Sequence, residues 1–371
     1  MTVWWITLFS TYFLCLFARM SGKYKYVKGE KVFRANALFA GMACAVLIFV
    51  SGFRENVGDT GTYRQIISKL GTNIIAYLKN PTVKDDTGFY AIAVFIRQFI
   101  STDTQVFLII TAIITIGAIF ICYYKNSNML ELVMLLFITT GCYEVSMNGV
   151  RQYLASAILF FSFPLIYERK WKIYIPLVLL CSTIHQSALI FLLLYFFADQ
   201  PAWGHVTKWI LFIGLILFIT YPISGPMIAN LLGQTQYGNY KDSLMSTGQG
   251  ANIIRVMVMA VPVVLSYVGR DFLKGKEKYL NIVVNFSVLN LIFILLATKF
   301  WIYARFNMYF IVYMILLLEW CIEHMFDERN RKIIYICCIL LYCIYFYYEM
   351  HISIGYGDGY HHFIRSIGIN I

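Results

Sequence analysis

The first group of residues able to do chemistry lies in the polar segment 52–63, which contains Arg54, Asp59 and Tyr63. An arginine guanidinium can bind phosphate oxygens in a bidentate manner, and a neighbouring carboxylate can accept a proton from a hydroxyl group. Asp59 is held close to Arg54 along the chain, and the glycines of the segment allow tight backbone turns near a headgroup. The alternative interpretation is an ordinary polar loop with an aspartate turn.

A second motif, Asn148-Gly-Val-Arg151-Gln152, places three polar side chains at positions i, i+3 and i+4. This spacing puts all three on one face of a helix, where they could bind a sugar or a phosphate together. The alternative is a polar helix start that satisfies its own first-turn amides.

A third motif is Ser182-Thr-Ile-His185-Gln-Ser187, which lies between two strongly apolar runs. Histidine is ionisable near neutral pH, so His185 is a candidate catalytic residue. A lone buried histidine is more often structural. Within a membrane, however, ionisable residues tend to mark function.

Composition identifies the kind of protein that carries these motifs. Of 371 residues, 60% are hydrophobic and 13% are charged, with a formal net charge of +11. Soluble domains contain about 25% charged residues, so the class of soluble globular domains is excluded. A nucleic-acid-binding protein would not combine this positive charge with so much apolar sequence. The sequence predicts an integral membrane protein of the cell membrane.

Apolar runs long enough to cross a bilayer predict an all-α polytopic fold with about 10–12 transmembrane segments. The runs lie near 2–19, 35–52, 103–124, 129–146, 152–167, 207–222, 253–269, 279–298, 306–322 and 333–349. Segment 173–198 has room only for two half-helices that meet at Ile184-His185-Gln186, or for one ordinary span. We favour the half-helices.

The Lys and Arg distribution predicts the orientation of these segments. With 18 of the 30 cations on the cytoplasmic side, both termini and the loops 53–102 and 223–252 are extracytoplasmic. Residues 87–101 are predicted to form an amphipathic helix on the outer interface. The whole chain, 1–371, is predicted to be one transmembrane domain.

Four cations lie near the predicted outer ends of spans, against the usual charge bias: Arg54, Arg151, Lys299 and Arg305. Each could extend its charge towards water along the interface, or the group could bind an anionic headgroup. The nine cysteines show no CxxC spacing, so neither a disulfide framework nor a metal site is predicted.

Four motifs, which follow one another along the chain, resemble those of the EpsG family, the Wzy-like polymerases of exopolysaccharide and capsule synthesis. They cover about residues 50–310, and the arrangement of spans extends the resemblance to most of the chain; no motif is matched after residue 350. The motifs are Gly52-Phe-Arg54 with Val57-Gly-Asp-Thr60 and Tyr63, Met147-Asn-Gly-Val-Arg-Gln-Tyr-Leu-Ala155, Ile184-His-Gln-Ser-Ala-Leu-Ile190 and Ala304-Arg-Phe-Asn-Met-Tyr-Phe310.

The resemblance implies a GT-C-like glycosyltransferase that needs no metal, cofactor or nucleotide sugar. Its substrates would be oligosaccharides linked to a polyprenyl diphosphate, such as undecaprenyl diphosphate, that lies among the membrane lipids. A chain-length regulator and a flippase of the same pathway are the expected partners, and nucleic acid is not one. Arg54, Arg151 and Arg305 would then bind the diphosphate, with Gln152, Tyr63 and Asn148 positioning sugar or phosphate. His185 or Asp59 would be the general base, and histidine has the pKa closer to the operating pH.

Two other functions fit parts of the sequence. An integral-membrane O-acyltransferase of surface glycans would also contain a histidine in an apolar segment, but the outer arginines would be unexplained. A lipid-linked oligosaccharide flippase predicts paired broken helices in two related halves, and the sequence shows no half-repeat.

Overall fold

A computed structural model describes residues 2–27, 30–55, 57–232, 250–273 and 278–353. The first helices are α1 (Thr2–Met20), α2 (Ala37–Gly52), α3 (Thr60–Ser68), α4 (Ile74–Lys79), α5 (Thr87–Phe99), α6 (Thr104–Asn126), α7 (Leu130–Thr139), α8 (Cys142–Asn148), α9 (Val150–Phe161) and α10 (Pro164–Tyr167). They are followed by α11 (Trp171–Ile184), α12 (Ile190–Leu194), α13 (His205–Ile219), α14 (Tyr221–Leu232), α15 (Ile253–Val268), α16 (Arg270–Leu273), α17 (Lys278–Ala297), α18 (Tyr303–His324) and α19 (Glu328–Tyr347).

Within the described residues, five helices are long and apolar enough to cross a bilayer: α1, α6, α17, α18 and α19 with its π-helical extension Tyr348–Ser353. Helices α7 and α8 together form a sixth candidate span, which is bent by 54°. Five further apolar helices are shorter: α2, α9, α11, α13 and α15. Helices satisfy their own backbone hydrogen bonds, which a bilayer interior requires. The predicted fold class, an all-α polytopic membrane protein, is confirmed.

The chain divides into two compact units. Unit 1 contains the described residues within 1–161, 180–185 and 327–371, and unit 2 contains those within 162–179 and 186–326. In unit 1, α1 packs against α2 and α7, while α2 and α9 both pack against α6. In unit 2, α17 packs along α18, and α15 contacts both. The single transmembrane domain stays a prediction.

Three breaks in the helical path determine where the polar motifs lie. Gly141 has a φ of +78°, a left-handed conformation that glycine adopts readily, and it separates α7 from α8. Gly149 then separates α8 from α9. The predicted break near 184–186 is present, because α11 ends at Ile184 and a 3-10 turn begins at Gln186.

The predicted loops contain local structure. The amphipathic helix predicted at 87–101 is present as α5, and two short helices, α3 and α4, lie within the preceding polar segment. Between α1 and α2, strands β1 (Lys23–Val27) and β2 (Glu30–Arg34) form an antiparallel hairpin, which the sequence analysis did not predict. Most of the loop 223–252 and most of the tail lie outside the described residues, and the sidedness of the loops stays a prediction.

Candidate functional site

Asp86 precedes α5 and has an unusual backbone conformation. Its φ of 51° and ψ of 45° are left-handed values that cost a residue other than glycine about 1–2 kcal/mol. Although Asp86 occupies the N-cap position, its side chain forms no capping hydrogen bond. Strained backbone of this kind persists where surrounding structure imposes it, and often at functional sites. The Asp86 carboxylate therefore does not cap α5 and is available for other contacts.

One oxygen of the Asp86 carboxylate contacts both Arg151 and His185. Oδ2 lies 2.9 Å from Arg151 Nη1 and 3.1 Å from His185 Nδ1. The Asp86 side chain is 1% exposed and that of His185 is 5% exposed, whereas Arg151 is 31% exposed. The three residues belong to unit 1 and form a buried cluster that water reaches mainly at the guanidinium.

The helix breaks and one close backbone approach bring these residues together. Arg151 lies in the first turn of α9, directly after the break at Gly149, and His185 follows the last residue of α11. At Gly88, in the first turn of α5, a Cβ atom would overlap the side chain of Thr183. The absence of a side chain at this position therefore lets the start of α5 contact the end of α11, which carries His185.

Two buried tyrosines flank Arg151. Its guanidinium carbon lies 5.9 Å from the ring centroid of Tyr63, within the range of a cation–π contact. Burial raises the pKa of the Tyr90 phenol, and the positive charge of Arg151 partly opposes that shift. The Tyr90 phenol is therefore neutral near pH 7 and can donate a hydrogen bond to a substrate oxygen.

The segment 54–60 is fixed against the Asn148 motif. The Asn148 Oδ1 atom accepts a hydrogen bond of 2.9 Å from the Asp59 backbone N–H. Gly58 has a φ of +51°, and a Cβ there would overlap the Asn148 side chain. Asn148 thus orders this loop through its amide oxygen, while the Asp59 side chain is exposed and forms no ion pair with the described residues.

The three predicted diphosphate-binding arginines lie in different surroundings. Arg54 is 2% exposed, and its guanidinium donates to Thr60 Oγ1 at 3.1 Å and to the Ser51 carbonyl at 2.5 Å. Arg151 contacts Asp86, as described above. Arg305 belongs to unit 2, where its guanidinium lies 5.5 Å from the Trp301 ring centroid.

The remaining predicted residue, Gln152, follows Arg151 in α9 and is buried. Three residues were not predicted: Asp86 and Tyr90 at the cluster, and Arg64 beside the Arg54 loop. Arg64 donates to Gln105 Oε1 and, at 3.2 Å, to the Arg54 carbonyl, which joins the loop to the start of α6. The pair Asp85-Asp86 directly before an amphipathic helix was the available signal for the missed carboxylate.

The cluster combines a proton-accepting group with an anion-binding group. If Asp86 accepts the Nδ1–H of His185, the imidazole lone pair lies on Nε2, the arrangement of a general base. The guanidinium of Arg151 presents donors suited to phosphate oxygens. Among the described residues, no group of three or more His, Cys, Asp or Glu side chains has a geometry that could hold a metal ion.

The fold and the cluster together define a polytopic membrane protein with a carboxylate, an imidazole and a guanidinium in contact within one compact unit. A protein-family model described as the EpsG family matches residues 37–362, and the chain therefore belongs to the EpsG family. Membership indicates a polymerase-type enzyme of exopolysaccharide synthesis. No curated protein and no solved structure matches the chain, so the GT-C likeness stays a prediction.

Proposed function

We propose that this protein is a polysaccharide polymerase that uses polyprenyl-diphosphate-linked oligosaccharides at the extracytoplasmic membrane face. It would transfer the growing glycan from its lipid carrier to the terminal sugar of a new lipid-linked repeat unit. The observation that carries the proposal is the buried Asp86–Arg151–His185 cluster in a chain of the EpsG family. It supplies the two functions that this transfer needs, proton removal and stabilisation of a diphosphate leaving group.

In the proposed reaction, a hydroxyl oxygen of the acceptor sugar attacks the anomeric carbon of the donor glycan. The new carbon–oxygen bond forms, the bond from that carbon to the diphosphate oxygen breaks, and the diphosphate leaves with the electron pair. His185 accepts the hydroxyl proton at Nε2. The resulting imidazolium lies beside Asp86, which stabilises its charge as the carboxylate does in hydrolytic triads.

The surroundings of the two candidate bases favour His185 over Asp59. His185 is buried and is oriented by a carboxylate, whereas the Asp59 side chain is exposed to solvent. Proton transfer requires a positioned group, and the exposed Asp59 side chain forms no ion pair with the described residues that would position it.

Arg151 is the proposed ligand of the leaving diphosphate. One of its Nη groups is held by Asp86, and its partial exposure leaves it accessible to a substrate. Charge that is already oriented before the reaction stabilises a developing anion without reorganisation. Arg54, by contrast, donates to its own loop, which supports an ordering role for that arginine.

The test compares cell-surface glycan from cells that express the wild type, Arg151→Ala or His185→Ala. Each variant is expected to abolish long chains while protein levels and single-repeat lipid intermediates are retained. Normal chain length in either variant would contradict the role proposed for that residue. Unchanged chains that lack acyl groups would instead indicate an O-acyltransferase, and accumulation of a cytoplasmic intermediate would indicate a flippase.

A further inference from the structure

The hairpin of β1 and β2 lies at the end of two membrane helices. α1 ends at Met20, three residues before β1, and α2 begins at Ala37, three residues after β2. Its base is fixed to the adjacent helix end, since Arg34 Nη1 donates to the Lys125 carbonyl at 2.9 Å and Tyr124 OH donates to the Ala35 carbonyl at 2.8 Å. These contacts hold the hairpin at the boundary between apolar and aqueous surroundings.

One face of the hairpin is aromatic. Alternate residues of a strand point to opposite faces, so Tyr24 and Tyr26 share one face with Phe33, the cross-strand partner of Tyr24. The Tyr24 and Phe33 rings lie 5.5 Å apart, and Lys31 Nζ lies 4.8 Å above the Tyr24 ring. Tyr24 and Tyr26 are nevertheless 65% and 79% exposed. Exposed tyrosines at this depth are typical of residues that contact lipid headgroups.

The opposite face carries Lys23, Lys25 and Arg34. Lys23 pairs directly across the strands with Arg34, and like charges in this position destabilise a hairpin. Lys23, Lys25 and Lys31 are all exposed. A two-stranded hairpin is marginally stable alone, so an anionic surface beside it would relieve this repulsion.

We propose that the β1–β2 hairpin binds anionic phospholipid headgroups at the membrane surface where α1 and α2 end. The lysines contact the headgroup phosphates, and the tyrosines lie at headgroup depth. Charge complementarity favours this occupant, because the hairpin has exposed lysines on both faces and anionic lipids carry the opposite charge. This binding site is separate from the Asp86 cluster and does not depend on the proposed reaction.

The test uses the full chain in lipid nanodiscs made either of phosphatidylcholine or of phosphatidylcholine mixed with phosphatidylglycerol. Hydrogen exchange at the hairpin amides is expected to slow in the phosphatidylglycerol discs, and high salt should reverse the effect. The triple variant K23Q/K25Q/K31Q should lose this protection. It should also retain less phosphatidylglycerol after purification in detergent, with affinity reduced by about fivefold per lysine.

The matched control is K69Q/K79Q/K84Q, which removes three exposed lysines from the polar segment before α5. It should behave as the wild type does in both measurements. Equal exchange of the wild-type hairpin in the two lipids would overturn the proposal, even if the triple variant fails to fold. An acidic protein would then be the alternative occupant of the hairpin surface.

Discussion

Replacing Asp86 by asparagine tests the central feature of the site. The substitution keeps the size and shape of the side chain and removes one negative charge. The Arg151 guanidinium then has no carboxylate at 2.9 Å, and His185 Nδ1 has an amide in place of the acceptor at 3.1 Å. The imidazole loses the group that orients it and stabilises its protonated form.

The size of the effect follows from burial and distance. Two unit charges about 4 Å apart interact by about 4 kcal/mol at an effective dielectric constant of about 20. Since Arg151 is 31% exposed, water compensates part of this loss. We expect a loss of about 1–3 kcal/mol in the free energy of unfolding. Misplacing the general base should lower the polymerisation rate by about 10²–10⁴-fold.

The assay measures glycan chain length on gels, together with protein level and thermal stability in detergent. Asp85→Asn is the matched control, because it removes the same charge from the exposed neighbouring residue. The double variant Asp86→Asn with His185→Ala should be no slower than His185→Ala alone, since residues that act as a unit show non-additive effects.

Wild-type chain length in cells that express Asp86→Asn at normal level would refute the role of the carboxylate. A double variant whose effect equals the product of the two single effects would show that Asp86 and His185 act independently. Loss of polymer in Asp85→Asn as well would attribute the effect to net charge in this loop.

Three further substitutions test how the site is built. Gly88→Ala should abolish polymer, because the new Cβ would overlap Thr183 and separate α5 from α11. Gly61→Ala is the control, because no atom lies within 4 Å of its new Cβ, and it should retain polymer on the same gels. Arg54→Ala should lower the thermal stability and the level of the protein, since it removes donors buried against Ser51 and Thr60. The expected loss in the free energy of unfolding is about 2–4 kcal/mol. Normal stability with lost polymer would indicate that Arg54 binds substrate instead. Arg151→Lys should reduce polymerisation at least tenfold, because an ammonium cannot contact Asp86 and a diphosphate in the same planar geometry; full activity would show that a single positive charge suffices.

Several features of this protein could be predicted locally. Runs of about 20 apolar residues predicted the spanning helices, and the limited length of segment 173–198 predicted the break at Ile184-His185-Gln186. The break at Gly149 was not predicted by the spacing of Asn148, Arg151 and Gln152, which had indicated one helical face. The amphipathic pattern at 87–101 predicted α5. The family motifs lie within short stretches of chain as well. Each of these signals depends on neighbouring residues alone, so it survives without knowledge of the packing.

The grouping of the arginines needed the three-dimensional contacts. In the sequence Arg54, Arg151 and Arg305 have the same residue type and similar predicted depth. Their surroundings differ because packing placed a hydroxyl and a carbonyl beside Arg54, a carboxylate beside Arg151 and an indole ring beside Arg305. The depth of a residue can be read from hydropathy, but its partner cannot.

The sequence by itself determined the membrane fold, the family and the identity of His185 and Arg151 as candidates. Only the tertiary structure identified Asp86, which lies 99 positions from His185 along the chain. In the sequence alone, Asp86 is an aspartate in a polar segment, as Asp85 and Asp59 are. Its position beside Arg151 and His185 comes from a left-handed backbone and from the close approach of Gly88 to Thr183, both of which arise from long-range packing. Local sequence encodes which groups are present, whereas their mutual distances are set by the packing of helices far apart in the chain.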